Sequence, residues 1–125
     1  MKKIEAVVPQ KTVSSIRAEL AKAFKADVER SKGYPAMTFA DVDGKGLGHT
    51  HPLVWGGQEF TIDIFPKTKL EIIILAADME KVIGAIIEGV RACNLDNKHQ
   101  GKIFVFDIEE AIRVRDGKRG EEVIK

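Results

Sequence analysis

The fold is decided by residues 59–90, EFTIDIFPKTKLEIIILAADMEKVIGAIIEGV. The first half of this stretch alternates apolar and polar residues, which is the period of a β-strand. From Met79 to Val90 the apolar residues recur at spacings of three and four, which predicts one face of a helix with Asp78 as its cap. We therefore expect one long strand, or two strands broken near Pro66, followed by a helix.

The residues before this stretch predict a strand, a helix and a second strand. Lys2–Val8 is a β-branched run that ends at a proline, as a strand does. Apolar residues spaced by three and four between Val13 and Phe24 predict a helix, with Thr12 as its cap. Ala36–Asp43 predicts the second strand.

The residues after it predict a polar loop at Asn94–Gly101, a strand at Lys102–Ile108 and an extended piece at Ile112–Arg115 before a charged tail, 116–125. The whole order predicts one α+β domain, 1–125, with a ferredoxin-like split βαβ sheet. The two helices cover one face. We expect the other face to be apolar as well, and to be covered by further copies of the chain.

A long loop is expected between the second strand and the deciding stretch. Residues 44–57 hold five glycines, one proline and two histidines, without a helical or strand period. Long loops inside compact domains are uncommon and are usually functional.

Composition excludes several classes of protein. Hydrophobic residues make up 44% and charged residues 31%, and the net charge is +1, so the chain is globular and lacks the basic excess of a nucleic-acid binder. The longest apolar run, Ile72–Ala77, is too short to cross a bilayer, and no signal peptide follows Met1. The single cysteine, Cys93, fits a reducing compartment. We expect a cytoplasmic protein.

Two groups of residues are candidates for anion binding. The run Gly44–Gly48 offers backbone N–H groups to an anion, or serves only as a loop hinge. Gly101 and Lys102, together with Arg113 and Arg115, could neutralise a polyphosphate, or form a solvated basic edge.

The histidines and the tryptophan have two readings each. His49, His51 and His99 could share a metal, or be ordinary loop residues. Trp55 could anchor a partner, or pack back on the domain. Neither a nucleophile with a matching base nor a pair of carboxylates in an apolar setting stands out, so we do not expect an enzyme.

The chain resembles the PII signal-transduction family over nearly its whole length. The opening MKKIEAVV resembles that family's first strand, and GHT at 48–50 matches a motif in its T-loop. The other matching segments are Met37–Thr38, Val42–Gly46, Phe60–Ile72, Gly101–Val105, Ala111–Arg115, Gly117, Gly120 and Glu121–Glu122.

The resemblance implies a homotrimer that binds an adenine nucleotide (ATP, ADP or AMP, with Mg²⁺ accompanying ATP) between subunits. Residues 44–57 would be the T-loop, which docks on a transporter or metabolic enzyme through His49, His51 and Trp55, and residues 94–101 would be the B-loop. The residues that match the family's nucleotide site are Thr38, Gly44, Gly46, Glu71, Ile73, Gly101, Lys102, Arg113 and Arg115.

Several departures from the family pattern qualify this implication. Phe60 stands where many members carry a tyrosine that is nucleotidylylated, and residues 94–101 lack the family's glycine-rich pattern. Leu47 and Gly48 fill a shortened segment where members carry a glutamine that helps to bind 2-oxoglutarate, so we expect little binding of that ligand. The rival hypothesis is a metal-responsive ferredoxin-like trimer that uses the histidines and binds no nucleotide.

Overall fold

A computed structural model describes residues 1–25, 33, 35–45, 51–62, 64–95 and 100–125, with backbone alone at 51–53 and 60–62. Within them lie six strands and two longer helices. The strands are β1 (Lys2–Pro9), β2 (Met37–Gly44), β3 (His51–Trp55), β4 (Gln58–Ile62), β5 (Phe65–Ile74) and β6 (Lys102–Asp107); the helices are α1 (Val13–Ala23) and α2 (Met79–Arg91).

Four strands form the main sheet in the order β2-β5-β1-β6, and each neighbouring pair is antiparallel. Helix α1 follows β1 and precedes β2 in the chain, and α2 follows β5 and precedes β6. This arrangement confirms the predicted ferredoxin-like α+β fold. Strands β3 and β4 form a separate two-stranded sheet.

The core lies between the main sheet and the two helices. Alternate residues of β1 and β5 point towards the helices and are buried, because side chains alternate between the two faces of a strand. They meet the apolar faces of α1 and α2, and all are members of one cluster: Ile4, Ala6, Val8, Ile16, Leu20, Leu70, Ile72, Ile74, Val82, Ala85, Ile86 and Val90.

The two predicted helix caps are wrong in detail. Thr12 and Asp78 precede their helices, but neither side chain bonds to the helix N-terminus. The hydroxyl of Thr12 is buried and donates to the Pro9 carbonyl at 2.7 Å instead. The Asp78 carboxylate accepts from Lys81 at 3.5 Å.

The segment 44–57 is not wholly a loop, since β3 occupies its second half. Gly56 and Gly57 both have positive φ, +60° and +81°, which suits a tight two-residue turn into β4. The deciding stretch forms two strands, which is the second of the two expected arrangements: β4 ends at Ile62 and β5 begins at Phe65, so the break lies close to Pro66 as predicted. Pro66 belongs to β5, where it pairs with Asp43 of β2 at a point beyond the reach of β1, whose pairing starts at Lys67.

The open face of the sheet is less apolar than expected. Its centre carries charged residues of β1 and β5, whereas exposed aromatic residues, Phe104 and Phe106, are confined to β6. The prediction of an apolar open face is therefore wrong at its charged centre and holds for β6 and for single residues such as Ile73 of β5.

Candidate functional site

Three of the residues matched to the nucleotide site lie together where β2 pairs with β5. Thr38 of β2 is directly opposite Glu71 of β5, and Ile73 lies two residues further along the same face of β5. The register places all three on the open face, because their neighbours Met37 and Ile72 pair on the helix side.

Glu71 is held by two lysines. Lys3 Nζ lies 3.6 Å from its Oε1, and Lys69 Nζ lies 3.5 Å from the same atom. Lys3 also lies 3.4 Å from Oε2 of Glu5, which is paired with Glu71 across the strands. These partners fix the carboxylate of Glu71 in position on the face, and sequence reasoning did not identify them.

Gly44 ends β2 opposite Phe65, next to Lys67. A Cβ at position 44 would lie 3.3 Å from Cγ of Lys67, so the glycine lets this lysine lie close against the strand end. Partial burial lowers the pKa of Lys67. Gly46 lies outside the described residues.

Gly101 and Lys102 lie at the start of β6. Gly101 has φ of +97°, and a Cβ there would come within 2.2 Å of the Val7 carbonyl oxygen. Only glycine can lie this close to β1 with this φ. The close contact places Lys102, which is exposed, opposite Val7 on the open face of the sheet.

Arg113 and Arg115 do not alternate along an extended segment, contrary to the prediction for Ile112–Arg115. The chain turns back here, with a bridge between Ile112 and Arg119 and a bond from the Arg113 N–H to the Lys118 carbonyl at 2.8 Å. Gly117, with φ of +71°, allows the turn.

Asp116 binds Arg113 from within this turn. The Arg113 Nε donates to Oδ1 at 2.9 Å and Nη2 donates to Oδ2 at 2.6 Å. This pair lowers the pKa of Asp116 and raises that of Arg113. Sequence reasoning missed Asp116, although its i, i+3 spacing from an arginine was a usable signal.

Within one chain the matched residues form groups at opposite edges of the sheet. A row of paired residues runs across it from Thr38 through Glu71 and Glu5 to Phe104, and Lys102 lies on the strand of Phe104. Three strand spacings separate β2 from β6, or about 14 Å. Lys3 and Glu5 of β1 lie between the two groups.

The residues matched to partner binding are only partly described. Trp55 and Val54 lie at the end of the β3–β4 hairpin, with relative exposures of 76% and 68%. His51 begins β3, but its side chain is outside the described part, as is the whole of His49. Trp55 is therefore exposed and does not pack back on the domain.

His99, the third histidine of the metal hypothesis, also lies outside the described part. Among the side chains that are described, no three of the ligand type His, Cys, Asp or Glu are grouped to hold a metal ion. In the same part of the chain, no helix has both the length and the apolar character to span a bilayer.

Comparison with known proteins gives one consistent result. The family model for nitrogen regulatory protein P-II matches residues 1–118. A nitrogen regulatory protein P-II of Pasteurella multocida is 34% identical over 124 residues, which cover 99% of this chain and 100% of that protein. Its counterpart in Rhodospirillum rubrum is 33% identical over 124 residues, with the same coverage. Nitrogen regulatory protein GlnK2 of Haloferax mediterranei is 35% identical over 92 residues, 74% of this chain and 72% of that protein.

Proposed function

Because this chain belongs to the P-II nitrogen regulatory protein family, whose members are non-enzymatic signal transducers, we propose that it is a trimeric sensor of adenine nucleotides. The nucleotide lies between two subunits. Its binding changes how residues 44–57 engage a transporter or a metabolic enzyme.

The placement of the matched residues carries this proposal. Thr38 and Glu71 lie at one edge of the sheet, and Gly101 and Lys102 belong to the strand at the other edge. A neighbouring copy that brings its β6 against the β2–β5 edge would unite both groups in a single cleft. Closed cyclic symmetry would then repeat the cleft at each interface.

The two groups differ in chemistry as a nucleotide site requires. The β2–β5 group offers a hydroxyl, a carboxylate and the apolar Ile73, which suit the polar edge and flat face of a base. The β6 group and the C-terminal turn offer cations, which suit phosphates, since arginine binds them through a fork and lysine as a point charge.

The exposed end of the β3–β4 hairpin supports the part assigned to residues 44–57. Trp55 has the size and rigidity of an interface anchor, and its exposure leaves it accessible to a partner. A ligand can change the conformation of such a segment only if it makes different contacts with the segment's alternative conformations. The close approach of Lys67 to Gly44, at the base of the segment, supports a role for this lysine in such contacts.

Direct titration tests the function. We expect calorimetry to detect binding of ATP, ADP or AMP, and light scattering to give about three subunit masses, since a cleft between subunits requires an oligomer. A stable monomer, or binding of zinc with no binding of any of the three nucleotides, would contradict the proposal.

Binding of 2-oxoglutarate is expected to be weak or absent. Leu47 and Gly48, which stand where the family carries its glutamine, have no side-chain oxygen to offer Mg²⁺, a cation that requires oxygen ligands. The measurement is calorimetry with 2-oxoglutarate in saturating Mg-ATP. Micromolar affinity would show that another residue, such as Gln58 or Glu59, supplies the missing ligand.

A further inference from the structure

The guanidinium of Arg113 is engaged by a carboxylate of its own chain. Two nearly parallel hydrogen bonds, 2.9 Å from Nε and 2.6 Å from Nη2, join it to the two oxygens of Asp116. Arginine also binds phosphate in this bidentate manner, so Asp116 occupies an edge of the Arg113 guanidinium that a phosphate could otherwise bind.

Asp116 is held in this position by the backbone of the turn. Its Oδ1 also accepts a hydrogen bond from the Lys118 N–H at 3.2 Å. The turn is closed on the other side by the Gly117 N–H, which donates to the Arg113 carbonyl at 2.8 Å. The carboxylate therefore faces the guanidinium as a consequence of the local fold, and does not depend on a chance rotamer.

A second arginine lies within range of the same carboxylate. Arg115 Nη2 is 3.9 Å from Oδ2 of Asp116, and its side chain is largely exposed. A single negative charge thus lies beside both C-terminal arginines of the candidate site and offsets part of their combined positive charge. An aspartate is ordinarily ionised at neutral pH, and Arg113 lowers the pKa of Asp116 further.

We propose that Asp116 competes with the phosphates of the nucleotide for the guanidinium of Arg113, an inference that rests on the proposed function. A phosphate group that takes the Asp116-bound edge of Arg113 must replace two charge-assisted hydrogen bonds and approach a group of like charge. Both effects lower affinity. The ligands best able to overcome them are nucleoside diphosphates and triphosphates, whose phosphate chains carry more negative charge than one carboxylate.

The test compares two variants that remove the same charge. Asp116→Asn frees Arg113, and its amide oxygen can still accept from the Lys118 N–H. Glu110→Gln removes a carboxylate of the same segment that pairs with Arg119 at 3.7 Å. We expect calorimetry to show ATP binding roughly fivefold tighter or more in Asp116→Asn, and changed by less than about twofold in Glu110→Gln.

The higher ATP affinity expected for Asp116→Asn must depend on Arg113. In an Arg113→Ala background, Asp116→Asn should tighten ATP binding much less than in the wild type, because the freed partner is missing. Asp116→Ser, which keeps an oxygen for the turn, carries the same expectation if the asparagine variant does not fold.

The outcomes separate this inference from the proposed function. If the wild type binds ATP and Asp116→Asn binds it equally or more weakly, Asp116 is not a competitor, and the nucleotide site stands. If neither protein binds ATP or ADP, the nucleotide site is wrong and the inference falls with it.

Discussion

Gly89→Ala is expected to destabilise the protein by about 1–3 kcal/mol, although alanine is the better helix former. A Cβ at position 89 would lie 2.5 Å from Cα and 2.7 Å from N of Ile16. These are backbone atoms, so α1 as a whole would have to move away from α2. Ile16 is fully buried in the core, and such a shift would also loosen its other contacts.

The matched control is Gly84→Ala in the same helix. Among the described residues, no atom beyond the neighbouring backbone of the same helix lies within 4 Å of a Cβ at position 84, so the helix propensity of alanine should stabilise the protein by about 0.5–1 kcal/mol. Urea unfolding of the two variants and the wild type measures both effects. A Gly89→Ala protein as stable as Gly84→Ala would show that the helices are not packed as closely as described.

Lys102→Ala and Arg113→Ala are each expected to weaken ATP binding by about one to two orders of magnitude. Each variant removes a charge-assisted contact to phosphate, which contributes roughly 1.5–3 kcal/mol. The close contact of Gly101 with β1 fixes the backbone next to Lys102. Binding of a ligand would therefore restrict the side chain of Lys102 but little of the backbone.

Lys22→Ala provides the control for loss of one positive charge, because Lys22 lies on α1 and pairs with Glu19 at 3.0 Å. Calorimetry with ATP should show nearly wild-type affinity for this variant. Unchanged affinity in both Lys102→Ala and Arg113→Ala would remove the cationic group from the site.

The sequence predicted those elements whose periodicity is local. The alternation in β5 and the three-and-four spacing in α2 follow directly from one buried face, and both elements formed where expected. Strand β3 does not follow from periodicity, because Pro52 interrupts its pattern and because the glycines around it are typical of a loop. The Gly56–Gly57 pair between two short strands was the available signal.

The C-terminal turn and the site could be predicted less well. Ile112–Arg115 has the composition of an extended segment, but Gly117 and the Arg113–Asp116 pair favour a turn. Composition alone does not show which of these local interactions is stronger. The neighbours Thr38 and Glu71 are far apart in the chain, and their pairing depends on strand register. Only the family resemblance indicated that they belong to one site.

The measurement that most directly tests a nucleotide site between subunits uses mixed trimers. Glu71→Ala and Lys102→Ala each damage one of the two groups, so a trimer of either variant alone has a defect in every cleft. Co-expression with two different affinity tags allows trimers that contain both variants to be isolated, and light scattering verifies their mass.

Each mixed trimer should regain one cleft in which both groups are intact, and should bind about one ATP with wild-type affinity, as cyclic symmetry requires. If the site instead lies within a single chain, every site in the mixed trimer keeps one defect. No recovery of tight ATP binding in trimers that contain both variants would therefore contradict the account.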